Sequence, residues 1–382
     1  MQGWFRKRLD RFRFGEHRSF RLGNPPRHIE IEAEALLRRD GYGMLGPDGQ
    51  LSPLIAEQVD TTMADRVMRE TWWILDETFH RSGLLGRWSP LRFLAMTQSS
   101  LEVNASTGQV TDARVPYFYI GLHAGLILHT ADRLLRVMAD PSALPSVGDI
   151  AKEEPGRTGA LLEVVPRDEH RLMVALNLAM LATITVFAHE IGHVVRGHIW
   201  LLKSRYGISR LFEAGTDSGG GARSDRDVDR VRRAMELDAD IFAGKTIGTM
   251  LLRERHGFMS VLGNDQRSLA QMLALAVTSA FRGFDYQEAS NYYHTPFMRS
   301  QLVTSAARHE AIPEVSDDLE FFRNSAWVPE RLGILRNPSD RLDNEAIHGD
   351  FESIRTTIAS LSELDNELDT ARAEMDDTFR KL

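Results

Sequence analysis

Between residues 169 and 206 the chain has no proline and keeps helical periodicity, and residues 172–188 are apolar apart from Asn177 and two threonines. An apolar stretch of about 17 residues only reaches the lower limit for crossing a bilayer. This one runs straight into His189-Glu190-Ile191-Gly192-His193, so a buried core helix is the better reading. That single element constrains the fold most: whatever surrounds it must cover it on all sides while leaving its far end available for chemistry. Histidines four apart on a helix lie about 40° apart around the axis, so both imidazoles leave the same face. Two ring nitrogens so placed can reach one zinc ion at roughly 2.0–2.1 Å. Glu190, between them, is placed to take a proton from the water that such a metal activates.

A hydrolytic zinc takes three protein ligands and keeps a fourth position open. The segment Glu236-Leu237-Asp238-Ala239-Asp240 offers Glu236 as the third ligand. Asp240 shares its helical face four residues on, where it can hold the free N–H of a ligating histidine and fix its tautomer. On one continuous helix His198 would stand about 180° away from His189, which counts against it as a ligand. Nor do the extended metzincin offsets fit, since Arg196 and Ile199 occupy them. A thiolate ligand, as in peptide deformylases, is excluded because the chain has no cysteine. On this reading His198 is a polar residue near a helix end.

The run from Ala188 to His198, followed by Glu236-Leu237-Asp238-Ala239-Asp240, resembles the gluzincin metallopeptidases. It is most similar to the branch of the Ste24-like prenyl-protein peptidases, their soluble relatives and the phage-exclusion peptidases. Val103-Asn104-Ala105 and Gly121-Leu122 are similar to that branch's edge strand and following helix, and His294-Thr295-Pro296 with Arg299 to its His-Pro…Arg segment. The resemblance covers roughly residues 95–305 of the chain. It implies a zincin-like core, zinc at His189, His193 and Glu236, Glu190 as general base and Asp240 behind the metal. The implied fold is α+β, mainly α, with a long metal-binding helix, a second metal-ligand helix and a small sheet.

Three regions are expected: a basic, aromatic arm over residues 1–28, a metallopeptidase domain over 29–305, and a helical extension over 306–382. Helices are expected over residues 56–82, 121–139, 227–256 and 265–284, and an exposed charged helix over 361–382. Residues 91–97 read as a helix end, and residues 101–105 and 114–120 as strands, within a total of three or four. The glycine-rich residues 218–221 read as a loop and not as a phosphate cradle, lacking a following Lys-Ser or Lys-Thr.

With 42% hydrophobic and 26% charged residues the composition is that of a globular protein. A net charge of −8 argues against a dedicated nucleic-acid binder. The absent cysteine removes disulfides and thiol nucleophiles and fits a cytoplasmic protein. Residues 1–21 interleave seven basic residues with Trp4, Phe5, Phe12, Phe14 and Phe20, without an export signal's apolar core. The arm reads as a solvated tail, with a membrane surface as its alternative partner.

The expected activity is peptide-bond hydrolysis on a protein or peptide substrate. Of the polar cluster Tyr292, Tyr293, His294 and Arg299, His294 is the first nominee to donate to the substrate carbonyl as it gains charge, and Arg299 the second. An extended substrate is expected to pair along the strand containing Asn104. The alternatives are a non-catalytic regulatory or binding protein with a structural zinc, and a membrane-surface or host-defence effector.

Overall fold

A computed structural model describes residues 21–22, 28, 31–33, 35, 43–44, 59–81, 91–110, 117–212, 226–253, 266–282, 284, 294–311 and 344–380. The chain is mainly helical with one small mixed sheet, as the sequence leads one to expect. The strands are β1 (Arg21–Leu22), β2 (Gly43–Met44), β3 (Phe93–Ser99), β4 (Ala105–Val110), β5 (Tyr117–His123) and β6 (Arg210–Phe212). The longer helices are α1 (Thr61–Leu75), α2 (Ala124–Ala139), α3 (Glu169–Val195), α4 (His198–Tyr206), α5 (Arg226–Arg253), α6 (Gln266–Phe281), α7 (Pro296–Ala311) and α8 (Asn344–Arg380).

Sheet order is β1-β3-β5-β4-β6, with β2 also paired to β3. β3 and β5 run parallel, from Phe93 opposite Phe118 to Gln98 opposite His123. β4 lies antiparallel to β5, and β6 antiparallel to β4. Two expectations change here. Residues 91–97, read as a helix end, form most of β3: alternate side chains such as Leu94 and Ala95 serve different apolar clusters on the two sheet faces, a period of two. The end of the basic arm, Arg21–Leu22, joins the sheet against Met96 and Ala95; its first 20 residues lie outside the described ones, as does the glycine-rich loop at 218–221.

The main core lies between one sheet face (Ala95, Ala105, Ile120, Leu122) and α1, α2, α3 and α6. Helix α3 runs through its middle. By length and composition it could cross a membrane, but 94% of its most apolar window is buried inside the fold. The donors of its polar interruptions are used within the helix, Asn177 Nδ2 donating to the Met173 carbonyl at 2.7 Å and Thr183 and Thr185 to Ala179 and Leu181, while Asn177 Oδ1 is left without a hydrogen-bond partner among the described residues. Asp168 caps its start, accepting from the amides of His170 and Arg171 at 3.1 Å each. The Arg171 guanidinium is fully buried and donates to the carbonyls of Met138, Asp140, Ala143, Leu144 and Val147, which ties the loop after α2 to the start of α3. A buried guanidinium is tolerable because its donors are used.

The single helix expected over residues 169–206 is broken. α3 stops at Val195 and α4 starts at His198, with Gly197 between them at φ +79°. Glycine adopts this left-handed conformation without steric cost. A second left-handed glycine, Gly207, ends α4 where a stop was expected.

Helix α8 begins earlier than the expected charged helix and is not merely exposed. Leu364, Leu368, Ala371 and Met375 form a buried stripe at helical spacing against Val194, Ile199, Leu202, Val231 and Met235. Helix α7 runs unbroken from Pro296 to Ala311, across the expected boundary at residue 305.

Candidate metal centre

Three elements build the centre. The C-terminal turns of α3 bring His189, Glu190 and His193, the middle of α5 brings Glu236, Asp238 and Asp240, and the segment entering α7 brings His294 and Arg299. All eight are buried, with Glu190 only 2% exposed and Glu236 4%.

His189 Nε2 and His193 Nε2 are 2.9 Å apart. Glu236 Oε2 is 3.1 Å from His189 Nε2, and its Oε1 is 3.4 Å from His193 Nε2. Ligand atoms of the three residues all lie within 4.8 Å of one another, as one metal ion requires. The crossing of α3 over α5 is close at this point: a Cβ on Gly192 would stand 3.3 Å from Ala239 Cα. That lack of a side chain between the two histidines lets the two helices approach closely enough to bring His189, His193 and Glu236 together.

Each histidine is tied on its far side. His189 Nδ1 lies 2.9 Å from Asp240 Oδ1. Asp240 in turn accepts from Arg299 Nε and Nη2, both at 2.8 Å, and the guanidinium stacks 4.2 Å from the centre of the Phe281 ring. Burial pushes the Asp240 carboxyl up, but Arg299 and His189 outweigh it and hold it below the ordinary range. Arg299 was expected to donate to a substrate carbonyl. With these nitrogens committed to Asp240, it stands instead as the anchor behind His189.

On the other side, His193 Nδ1 meets His198 Nδ1 at 3.0 Å, and His198 Nε2 meets Asp238 Oδ2 at 3.0 Å. Arg196 closes this arm with bonds of 2.6 and 3.1 Å to Asp238. His198 is therefore not a stray polar residue: it is fully buried against His193. His198 stands about 180° from His189 only on one continuous helix, and the turn at Gly197 swings it back toward His193. The glycine just before a histidine was the sequence signal that could have found it. Burial pushes the His198 imidazole down to about 4 despite the upward pull of Asp238. Burial also pushes Asp238 up, yet His198 and Arg196 hold it well below the ordinary carboxylate range.

His294 is 4% exposed and its Nε2 has no hydrogen-bond partner among the described residues. Burial pushes its imidazole down to about 4, and the charges acting on it include Asp240, Arg233, Arg299 and Glu236, which places it at this cluster. Tyr292 and Tyr293 lie outside the described residues.

Asn104 precedes β4, its Oδ1 taking the amide of Ala105 and its carbonyl the amide of His123. The strand it leads into is not a free edge. β6 pairs with Ser106, Thr107 and Gly108, and the carbonyl of Ser209 takes the amide of Gln109. An extended peptide adding to β4 would have to displace β6 over that length.

No family model, no curated protein and no solved structure matches this chain.

Proposed function

We propose that the protein is a zinc-dependent peptidase of the gluzincin type. One observation carries the reading: two Nε2 atoms and one carboxylate, from two helices, converge within 4.8 Å while the opposite nitrogen of each ring is held from behind. The donor set suits zinc, being two imidazoles and a carboxylate. Asp238 and Asp240 each have a guanidinium bonded through two nitrogens. Glu236 does not: its contact with Arg299 is 3.7 Å, and its oxygens otherwise face only the two imidazole nitrogens, His189 Nε2 at 3.1 Å and His193 Nε2 at 3.4 Å. A buried carboxylate left in that state is costly unless a cation faces it.

Zinc held there supplies Lewis acidity and brings a water's pKa toward about 7. Glu190 takes the proton of the attacking water and returns it to the leaving amine. His294, buried and neutral, donates to the carbonyl oxygen as it gains charge. Asp240 with Arg299 keeps His189 aimed. The substrate is a protein or peptide.

A second reading has an observation of its own. His189 and His193 are 0% and 1% exposed, so a peptide reaches them only after part of the molecule opens. That burial suits a structural zinc in a regulatory or binding protein, with four protein ligands. Metal content and proteome-derived peptide cleavage, measured for wild type and Glu190→Gln, separate the two. The peptidase reading expects equal zinc in both and cleavage reduced by about 10²-fold or more in the variant. Equal zinc with cleavage by neither supports the structural reading, and equal cleavage by both removes Glu190 from the chemistry.

A further inference from the structure

Resting on the metal reading above, we propose that His198 is a positioning residue for His193: it relays the Asp238 carboxylate to His193 Nδ1, so that His193 is locked with its Nε2 lone pair toward Glu236. The proton count along this arm leaves one arrangement. Two nitrogens 3.0 Å apart, His193 Nδ1 and His198 Nδ1, need one hydrogen between them. Asp238 is ionised and can only accept, so the single proton of a neutral His198 belongs on Nε2, facing Asp238 Oδ2 at 3.0 Å. His198 Nδ1 is then an acceptor, and His193 Nδ1 must donate to it. The remaining nitrogen of His193, Nε2, is left bare and lies 3.4 Å from Glu236 Oε1. The reverse arrangement would set a bare His198 Nε2 against Asp238 Oδ2 at 3.0 Å with no cation to separate the two acceptors, whereas the bare His193 Nε2 faces His189 Nε2 at 2.9 Å and Glu236 Oε1 at 3.4 Å around the place that the proposed ion fills.

Geometry makes the relay rigid from both ends. Gly197, left-handed at φ +79°, returns the chain so that His198 faces the residue five positions before it. Arg196 holds both Asp238 oxygens. Helix α8 closes the outside, with Arg372 and Ala371 against Gly197. The two ligand histidines are thus governed by carboxylates of one helix: Asp240 acts directly on His189, whereas Asp238, two residues before it and turned about 200° away, acts through an inserted imidazole. An outer partner of this kind commonly changes metal affinity by about 10–100-fold.

The test uses the full chain with ¹⁵N-labelled histidine, as wild type, His198→Gln and His198→Phe. Gln can accept from His193 Nδ1 and donate to Asp238; Phe fills the space and does neither. Long-range ¹H–¹⁵N spectra of the zinc-free proteins at mildly alkaline pH should show His193 as the Nδ1-protonated tautomer in wild type and His198→Gln, and as a mixture in His198→Phe. Zinc affinity, by chelator competition, should fall about 10–100-fold in His198→Phe and recover most of the loss in His198→Gln. An Nε2-protonated His193 in wild type overturns the relay, as do equal affinities for all three proteins or equal losses in both variants. Failure of wild type to bind zinc would refute the metal reading instead, and the tautomer spectra would still decide the relay.

Discussion

At the scale of single residues, hydrogen bonding divides the two ends of each ligand imidazole. One nitrogen is given to a protein partner, while the other faces the meeting point of His189, His193 and Glu236 where the proposed ion would sit. Most of this was legible: the four-residue spacing of His189 and His193 and the facing Glu236 and Asp240 follow from helix geometry. His198 was not, because a helical wheel fails across a left-handed residue. Arg299 was found but in another role, since only the fold shows which acid it reaches. His123, buried at the end of β5, gives a separate prediction. Burial pushes its imidazole from 6.5 down to about 3. Between those values the unfolded chain binds a proton that the folded chain refuses, so stability falls as pH falls below about 6.5 and is unaffected by this group above it. The loss by pH 5 is about 2 kcal/mol. Urea unfolding at pH 7 and pH 5 should show a shallower pH dependence in His123→Gln than in wild type; equal slopes would refute this.

Among the elements, glycines decide how closely the helices approach. On α5, a Cβ at Gly244 would stand 2.4 Å from the Val303 carbonyl oxygen, and one at Gly248 2.3 Å from that of Ala307. These contacts bring α7 onto α5 and, one turn and more before Val303, Arg299 onto Asp240. Gly248→Ala is therefore expected to cost about 1–3 kcal/mol, read by chemical denaturation, because backbone rather than a flexible side-chain end must move. An unchanged midpoint would show that the two helices can separate freely. Helix identity was readable from apolar periodicity, but the break at Gly197 was hidden by good helix formers on either side. β3 is not legible because the strand is short and its residues 94–98 are buried on both faces, which blurs alternation. Pairing of β6 along β4 left no mark in the sequence, since three residues separated from their partner by about a hundred carry no local signal.

On the scale of the whole molecule, α3 joins the main core to the metal centre and α8 seals the second apolar cluster behind it. Leu368, fully buried in that seal, should cost about 2–5 kcal/mol as Leu368→Ala, measured by denaturant unfolding. A change below about 0.5 kcal/mol would mean that α8 does not pack there in solution. On the proposed function, zinc should couple to global stability too, because the ligand set exists only in the assembled centre and not in the unfolded chain. Free zinc at about 100 times its Kd adds about 2.7 kcal/mol, so a chelator should lower Tm and zinc should restore it. No Tm change between chelated and zinc-loaded protein, at equal zinc content before chelation, would place the ion elsewhere. The account turns on one cation gripped by His189, His193 and Glu236 with a position left for solvent. X-ray absorption at the zinc edge of the loaded protein, wild type beside Glu236→Ala, tests it most directly: two imidazole nitrogens, one carboxylate and one non-protein oxygen are predicted, with the carboxylate lost in the variant. Four protein donors, or a spectrum that the variant leaves unchanged, would contradict it.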